Sequence, residues 1–298
     1  MVGTAGRVVL GSLLLSCLAS TGSATEGPNT DRSESRRSQE ARKPSELPFT
    51  LIDGYLIVVE GRIGSHEHLK MALDTGSTFS VLRRGLAAPE FERRWLRVAN
   101  IDQVLKQEAA KVPDFQLGSI KIDVLPMMLS SLEYLGPTGS SVDALIGLDV
   151  LASSALTIDF AHKKVLFGQA RHLRSTVPIE AGDAFVSVEI RLGDQPLRLI
   201  LDSGVPSILL YRDRLDGRMT RLRPVGATAA ASLGGRTWLE LIDLPPAKLA
   251  RRDLARRAAV AERSPAGFLP GIQGYLSLAA LRATVCSIDF AEKTLSWE

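Results

Sequence analysis

The chain has 298 residues, with 36 Lys and Arg against 33 Asp and Glu, a net charge of +3 and 45% hydrophobic residues. That length supports two domains of roughly 100 to 150 residues, and so apolar a composition excludes a disordered chain. The Arg clusters at Arg93-Arg94 and between Arg251 and Arg257 carry no interleaved aromatics, so they read as solvated faces and not as a nucleic-acid track.

At the N-terminus, Arg7 precedes the apolar run Val8 to Leu15. The run is far shorter than the ~20 residues of a membrane span and suits a secretory signal, so residues 1–24 are set apart from the fold. Leu14-Leu15-Ser16-Cys17 resembles the lipobox of bacterial lipoproteins, which implies lipidation at Cys17, a membrane anchor, and export to the periplasm or outer membrane. Cleavage after Gly22-Ser23-Ala24, with Cys17 discarded, is the alternative. The only other cysteine, Cys286, reads as a small buried hydrophobe. Residues 25–47 are polar and Pro-containing, have little to bury, and are expected to form a tether. Folded chain is expected from Pro48.

Beyond the tether the sequence repeats itself. Met71-Ala72-Leu73-Asp74-Thr75-Gly76 is answered by Leu199-Ile200-Leu201-Asp202-Ser203-Gly204, 128 positions later. In each copy an apolar strand end delivers a carboxylate to a Gly turn. Val186, Val188, Ile190 and Leu192 alternate with polar residues, the period of a half-buried strand. Ala144-Leu145-Ile146-Gly147 is answered by Gly274-Tyr275-Leu276-Ser277, and Ile158-Asp159-Phe160 by Ile288-Asp289-Phe290. Ile122 to Pro126 is matched to Ile242 to Pro245, which leaves Ala247 to Arg263 as an insertion; its Ala and Arg content predicts a surface helix. A short helix is also expected over Leu148 to Ser154. The prediction is an all-β chain of two similar domains, 48–172 and 176–298, linked at Arg174 to Pro178.

These residues resemble an aspartic peptidase of the retropepsin/pepsin clan, closest to the bacterial retropepsin-like proteins. The likeness rests on hydrophobic-hydrophobic-Asp-Thr/Ser-Gly in both halves and on Leu145-Ile146-Gly147, and it covers nearly all of the chain after the tether. It implies two similar β-barrel lobes forming a pepsin-like pseudo-dimer around a cleft, in a monomer that binds peptide or protein substrate and needs no metal or other cofactor. Asp74 and Asp202 would be the catalytic pair. Two carboxylates held side by side cannot both ionise cheaply, so they share a proton and together activate a water. Thr75 and Ser203 would interlock across the lobes, Gly76 and Gly204 would keep the turns tight, Ser77 would support Asp74 through its hydroxyl, and Gly147 would pack behind the first turn.

The second half departs from the pattern. Val205 stands where a hydroxyl or Ala is usual, and Ser277 replaces Gly, so Asp202 is expected to be less firmly held than Asp74. Gly234 and Gly235 are candidates for a flap tip, whereas Val98 to Lys111 contains no Gly. The rival expectation is a pseudopeptidase that grips peptides in the cleft without cutting them. His66 and His68 alternate near a turn and read as an exposed hairpin rather than a metal site. Trp95, Trp238 and Trp297 read as packing residues, with Trp238, just after the Gly pair, also a candidate to line a cleft.

Overall fold

The computed structural model describes residues 9–11, 44–135, 141–182, 185–217 and 222–298, the first of these as backbone only. Cys17 and most of the expected tether lie outside the described residues. The fold is all-β, built on two large sheets with short helical turns.

In the first half, Leu56–Ile63 and His66–Leu73 form a hairpin whose turn uses Gly64 at φ 55°, a left-handed value that Gly adopts without a Cβ penalty. His66–Leu73 then runs parallel to Ala144–Ile146, and the other side of Ala144–Ile146 pairs antiparallel with Val81–Arg83. The second half repeats this. Val186–Leu192 and Gln195–Asp202 form the hairpin, Gln195–Asp202 lies parallel to Gly274–Ser277, and Ile208–Tyr211 closes the other side. In each half a later strand wedges between the chain entering and the chain leaving the acidic turn. Apolar side chains on both faces make that wedge buried throughout.

The halves are sewn together by their terminal hairpins. Leu156–Asp159 pairs antiparallel with Val285–Asp289, and the hydroxyls of Thr157 and Ser287 meet 2.7 Å apart in the buried centre of that seam. Lys164–Phe167 continues the sheet on one side and Thr294–Trp297 on the other. One apolar cluster accordingly runs through both halves, from Phe49 and Ile57 to Leu295 and Trp297.

Several expectations are corrected. The strand Ser45–Ile52, with which the first half opens, starts before Pro48, because Ser45 to Pro48 pair with Lys164 to Phe167. The linker is itself an edge strand, Ser175–Pro178, on Thr294–Trp297. Ala247 to Arg263 holds no helix: it forms the strands Ala247–Leu249, Arg252–Asp253 and Arg257–Ala261. Ile208 pairs with Ala258 as Val81 pairs with Met128, so this segment replaces the strand Ile120–Ser130 and is no insertion. The match of Ile122–Pro126 to Ile242–Pro245 was therefore out of step. The helix at Leu148 is a single turn, Leu148–Leu151. Val9–Gly11, expected to stay outside the fold, forms a short strand parallel to Ala229–Ala231.

Candidate active site

Asp74 and Asp202 end their strands at equivalent places and are both fully buried. Their turns are locked by a reciprocal exchange. Thr75 N–H donates to Ser203 Oγ at 3.0 Å and Ser203 N–H donates to Thr75 Oγ1 at 3.0 Å. The two hydroxyls then donate onward, Thr75 Oγ1 to Leu201 O at 2.9 Å and Ser203 Oγ to Leu73 O at 2.8 Å. Each hydroxyl thus accepts from one chain segment and donates to the strand feeding the opposite carboxylate. No freedom of rotation remains to either, which fixes the two turns relative to each other.

Gly76 N–H donates to Asp74 Oδ1 at 3.0 Å and Gly204 N–H to Asp202 Oδ1 at 2.6 Å. The glycines also make the approach possible. A Cβ on Gly76 would fall on the Asp202 carboxyl, and one on Gly204 would sit 2.8 Å from Asp74 Oδ1. The other oxygens, Asp74 Oδ2 and Asp202 Oδ2, are buried with no hydrogen-bond partner in the protein.

Burial is the main cause that raises both carboxyls, because the charged form loses its water. Asp74 is pushed well above the usual carboxylate range by burial and then by the negative charge of Asp202. Asp202 is pushed up to about 7 by burial, tempered by the N–H groups of Gly204 and Val205. Both carboxyls are thus raised together, and the pair favours holding one proton between them.

Support behind the turns differs between the halves. Ser77 Oγ donates to Phe79 O at 2.7 Å, so the expected hydroxyl support of Asp74 is replaced by the backbone N–H of Ser77, one of the donors that lowers Asp74. The N–H of Val205 serves Asp202 in the same way, so the missing hydroxyl at 205 costs Asp202 no direct contact. Gly147 lies against the first turn, where a Cβ would stand 2.8 Å from the Phe79 carbonyl carbon. Its counterpart Ser277 fits, and its hydroxyl donates to Val205 O at 2.5 Å.

Sequence reasoning missed Ser80 and Asp149. The Asp149 carboxylate accepts Ser80 N–H at 2.9 Å and Ser80 Oγ–H at 2.7 Å, and Ser80 Oγ accepts Gly147 N–H at 3.1 Å. Burial raises Asp149 to about 6. The available signal was a lone carboxylate inside the apolar run Leu145 to Leu151.

Two hairpins close over the turns. Gly234 lies at the tip of Pro224–Ser232 and Gly235–Asp243. Without any Gly, Arg93–Ala99 and Val104–Leu117 also form a hairpin, its tip held by Asn100 N–H donating to Gln103 O at 2.8 Å. The tips touch: Asn100 Nδ2 donates to Ser232 Oγ at 2.7 Å, and Thr237 Oγ1 to Asp102 Oδ2 at 2.9 Å. A Cβ on Gly234 would run into Asn100 and Gln103. Each tip also buries a side chain in the opposite half. Ile101 joins the cluster of Leu209, Tyr211 and Tyr275, while Leu233 packs on that of Val58, Val81 and Leu145.

The remaining candidates lie apart. His68 pairs with Glu60 at 2.9 Å on an exposed strand. Cys286 is buried in the core, its thiol pushed up to about 12 by burial. Trp297 is a packing residue, but Trp95 and Trp238 are 60% and 77% exposed on the two closing hairpins. Neither the models of known protein families nor the curated proteins match this chain.

Proposed function

We propose that the chain is an aspartic endopeptidase, a single-chain member of the retropepsin/pepsin clan whose two similar β-barrel lobes each supply one carboxyl. The observation that carries this reading is the reciprocal Thr75–Ser203 exchange, which holds two partnerless carboxyl oxygens at one buried point. A structural Asp at a turn has no need of that; its lone pairs are satisfied locally.

In the reaction, water between the carboxyls attacks the carbonyl carbon of the substrate peptide bond. Its proton passes to ionised Asp202, and the proton on Asp74 goes to the carbonyl oxygen, giving a neutral tetrahedral diol. Collapse returns a hydroxyl proton to Asp74 as the C–N bond breaks, and Asp202 gives its proton to the leaving amine. Both carboxyls end as they began. No covalent enzyme intermediate forms.

The hairpins would have to part for substrate to enter and then close on it. The protein acts outside the cytoplasm, held at a membrane through Cys17 if the lipobox is used. Incubation with a peptide library between mildly acidic and neutral pH tests the activity. Cleavage that Asp74→Asn abolishes supports it; binding of peptides without cleavage makes the protein a pseudopeptidase.

A further inference from the structure

Tyr134 follows the strand Ile120–Ser130 in a turn at 133–135, and nothing in its sequence context marks it. Its ring packs on the same apolar cluster that receives Phe79, from the segment behind the first acidic turn, and Leu233, from the opposite hairpin tip. The phenol thus shares one apolar cluster with the segment after the turn and with the hairpin tip. Its hydroxyl is buried and has no hydrogen-bond partner. The Ser130 hydroxyl, which accepts from Leu132 N–H at 3.3 Å, lies close enough to the phenol to lower it slightly.

A buried hydroxyl without a partner costs about 1 to 3 kcal/mol, so native folds seldom keep one unless something else completes it. Among the described residues, the buried partnerless oxygens are those of Asp74, Asp202 and Tyr134, together with those of Ser154, Ser187 and Gln195. The first two await water and substrate. We propose that the third does too: Tyr134 is a substrate-binding residue, its hydroxyl donating to a neutral acceptor of the bound peptide, a backbone carbonyl or an amide side chain, on the Asp74 side of the scissile bond. This rests on the peptide-cleft reading above.

The direction of the bond follows from the surroundings. Burial, and then the negative field of Asp74, raise the phenol well above its ordinary value, so it keeps its proton and donates. A carboxylate acceptor is disfavoured there by the single negative charge the Asp pair retains.

Wild type, Tyr134→Phe and Asp74→Asn would be compared for cleavage of the best library peptide, for affinity toward a statine-containing peptide, and for Tm. The expected result is that Tyr134→Phe raises KM and the statine peptide Kd about tenfold, the effect of one lost hydrogen bond. kcat stays within about twofold and Tm is unchanged or higher, because a partnerless hydroxyl is removed. Unchanged KM and Kd overturn the proposal, as does a Tm loss of several degrees without a binding change. Should wild type cut nothing, the peptidase reading fails and the two Kd values alone decide on Tyr134. Should it also fail to bind the statine peptide, both readings fall.

Discussion

Each carboxyl of the Asp74–Asp202 pair exchanges water for backbone N–H donors, and the exchange falls short once the group ionises. The sign of the resulting pH dependence is opposite to that of a salt-bridged carboxylate. With folded values above the unfolded 3.8, the native state binds more protons than the unfolded one, so stability is fully present below about 4 and declines as pH rises toward about 7. Replacing one member by a neutral amide removes that loss. Asp202→Asn is expected to stabilise the protein at pH 8 by on the order of 2 to 4 kcal/mol and to change little at pH 4, measured by urea unfolding. Equal effects at both pH values would contradict the shared-proton picture. At this scale the sequence was readable where chemistry is local. Asp-Thr-Gly and Asp-Ser-Gly carry the carboxylate and its own donor within three residues. Ser80 was illegible because its partner Asp149 lies 69 positions away; Asp149 left only the lone carboxylate in an apolar run, and Tyr134 left no signal.

Among elements, most strands were legible from alternation and one closing hairpin from its Gly234-Gly235 tip, whereas the Gly-less hairpin and the strand Arg257–Ala261 were not. Arg257–Ala261 illustrates why: Ala258, Ala259 and Ala261 have no side-chain period to read, and Ala intrinsically prefers helix. Pairing on both sides, with Ile208–Tyr211 and with Glu240 to Asp243, overrides that preference. The hairpin tips depend on contacts 132 positions apart, which no local pattern encodes. Ile101 is the clearest case, a fully buried side chain at a loop tip, anchored where its carbonyl accepts from Tyr211 Oη at 2.9 Å. Ile101→Ala should leave a cavity in the opposite half's cluster and cost about 2 to 4 kcal/mol of tip docking. Because a hairpin can lift without global unfolding, amide exchange across Arg93–Ala99 should accelerate by one to three orders of magnitude. Unchanged exchange would mean that the tip is not docked in solution.

For the molecule as a whole, duplication alone does not produce one site; two independent barrels on a linker would leave the carboxyls free to drift. Two devices prevent that. The terminal hairpins share one sheet across Leu156–Asp159 and Val285–Asp289, and the Thr75–Ser203 exchange pins the turns at the other end of the interface. The core that runs from Phe49 to Trp297 is continuous across the halves. A chain of this length would ordinarily unfold in stages, but here neither half can bury its seam alone. Equilibrium unfolding is therefore expected to be a single transition, with far-UV circular dichroism and tryptophan emission superimposed. The emission change comes chiefly from Trp297, which lies in the shared sheet, since Trp95 and Trp238 are 60% and 77% exposed before unfolding. Thr75→Val keeps the shape but orphans the Ser203 N–H and the Leu201 carbonyl, at a cost of about 2 to 4 kcal/mol. If the halves are one cooperative unit, that loss moves both signals to lower urea together, although Thr75 and Trp297 sit at opposite ends of the interface. A variant in which the two curves separate would show that the halves fold alone and that the interlock is a local clasp.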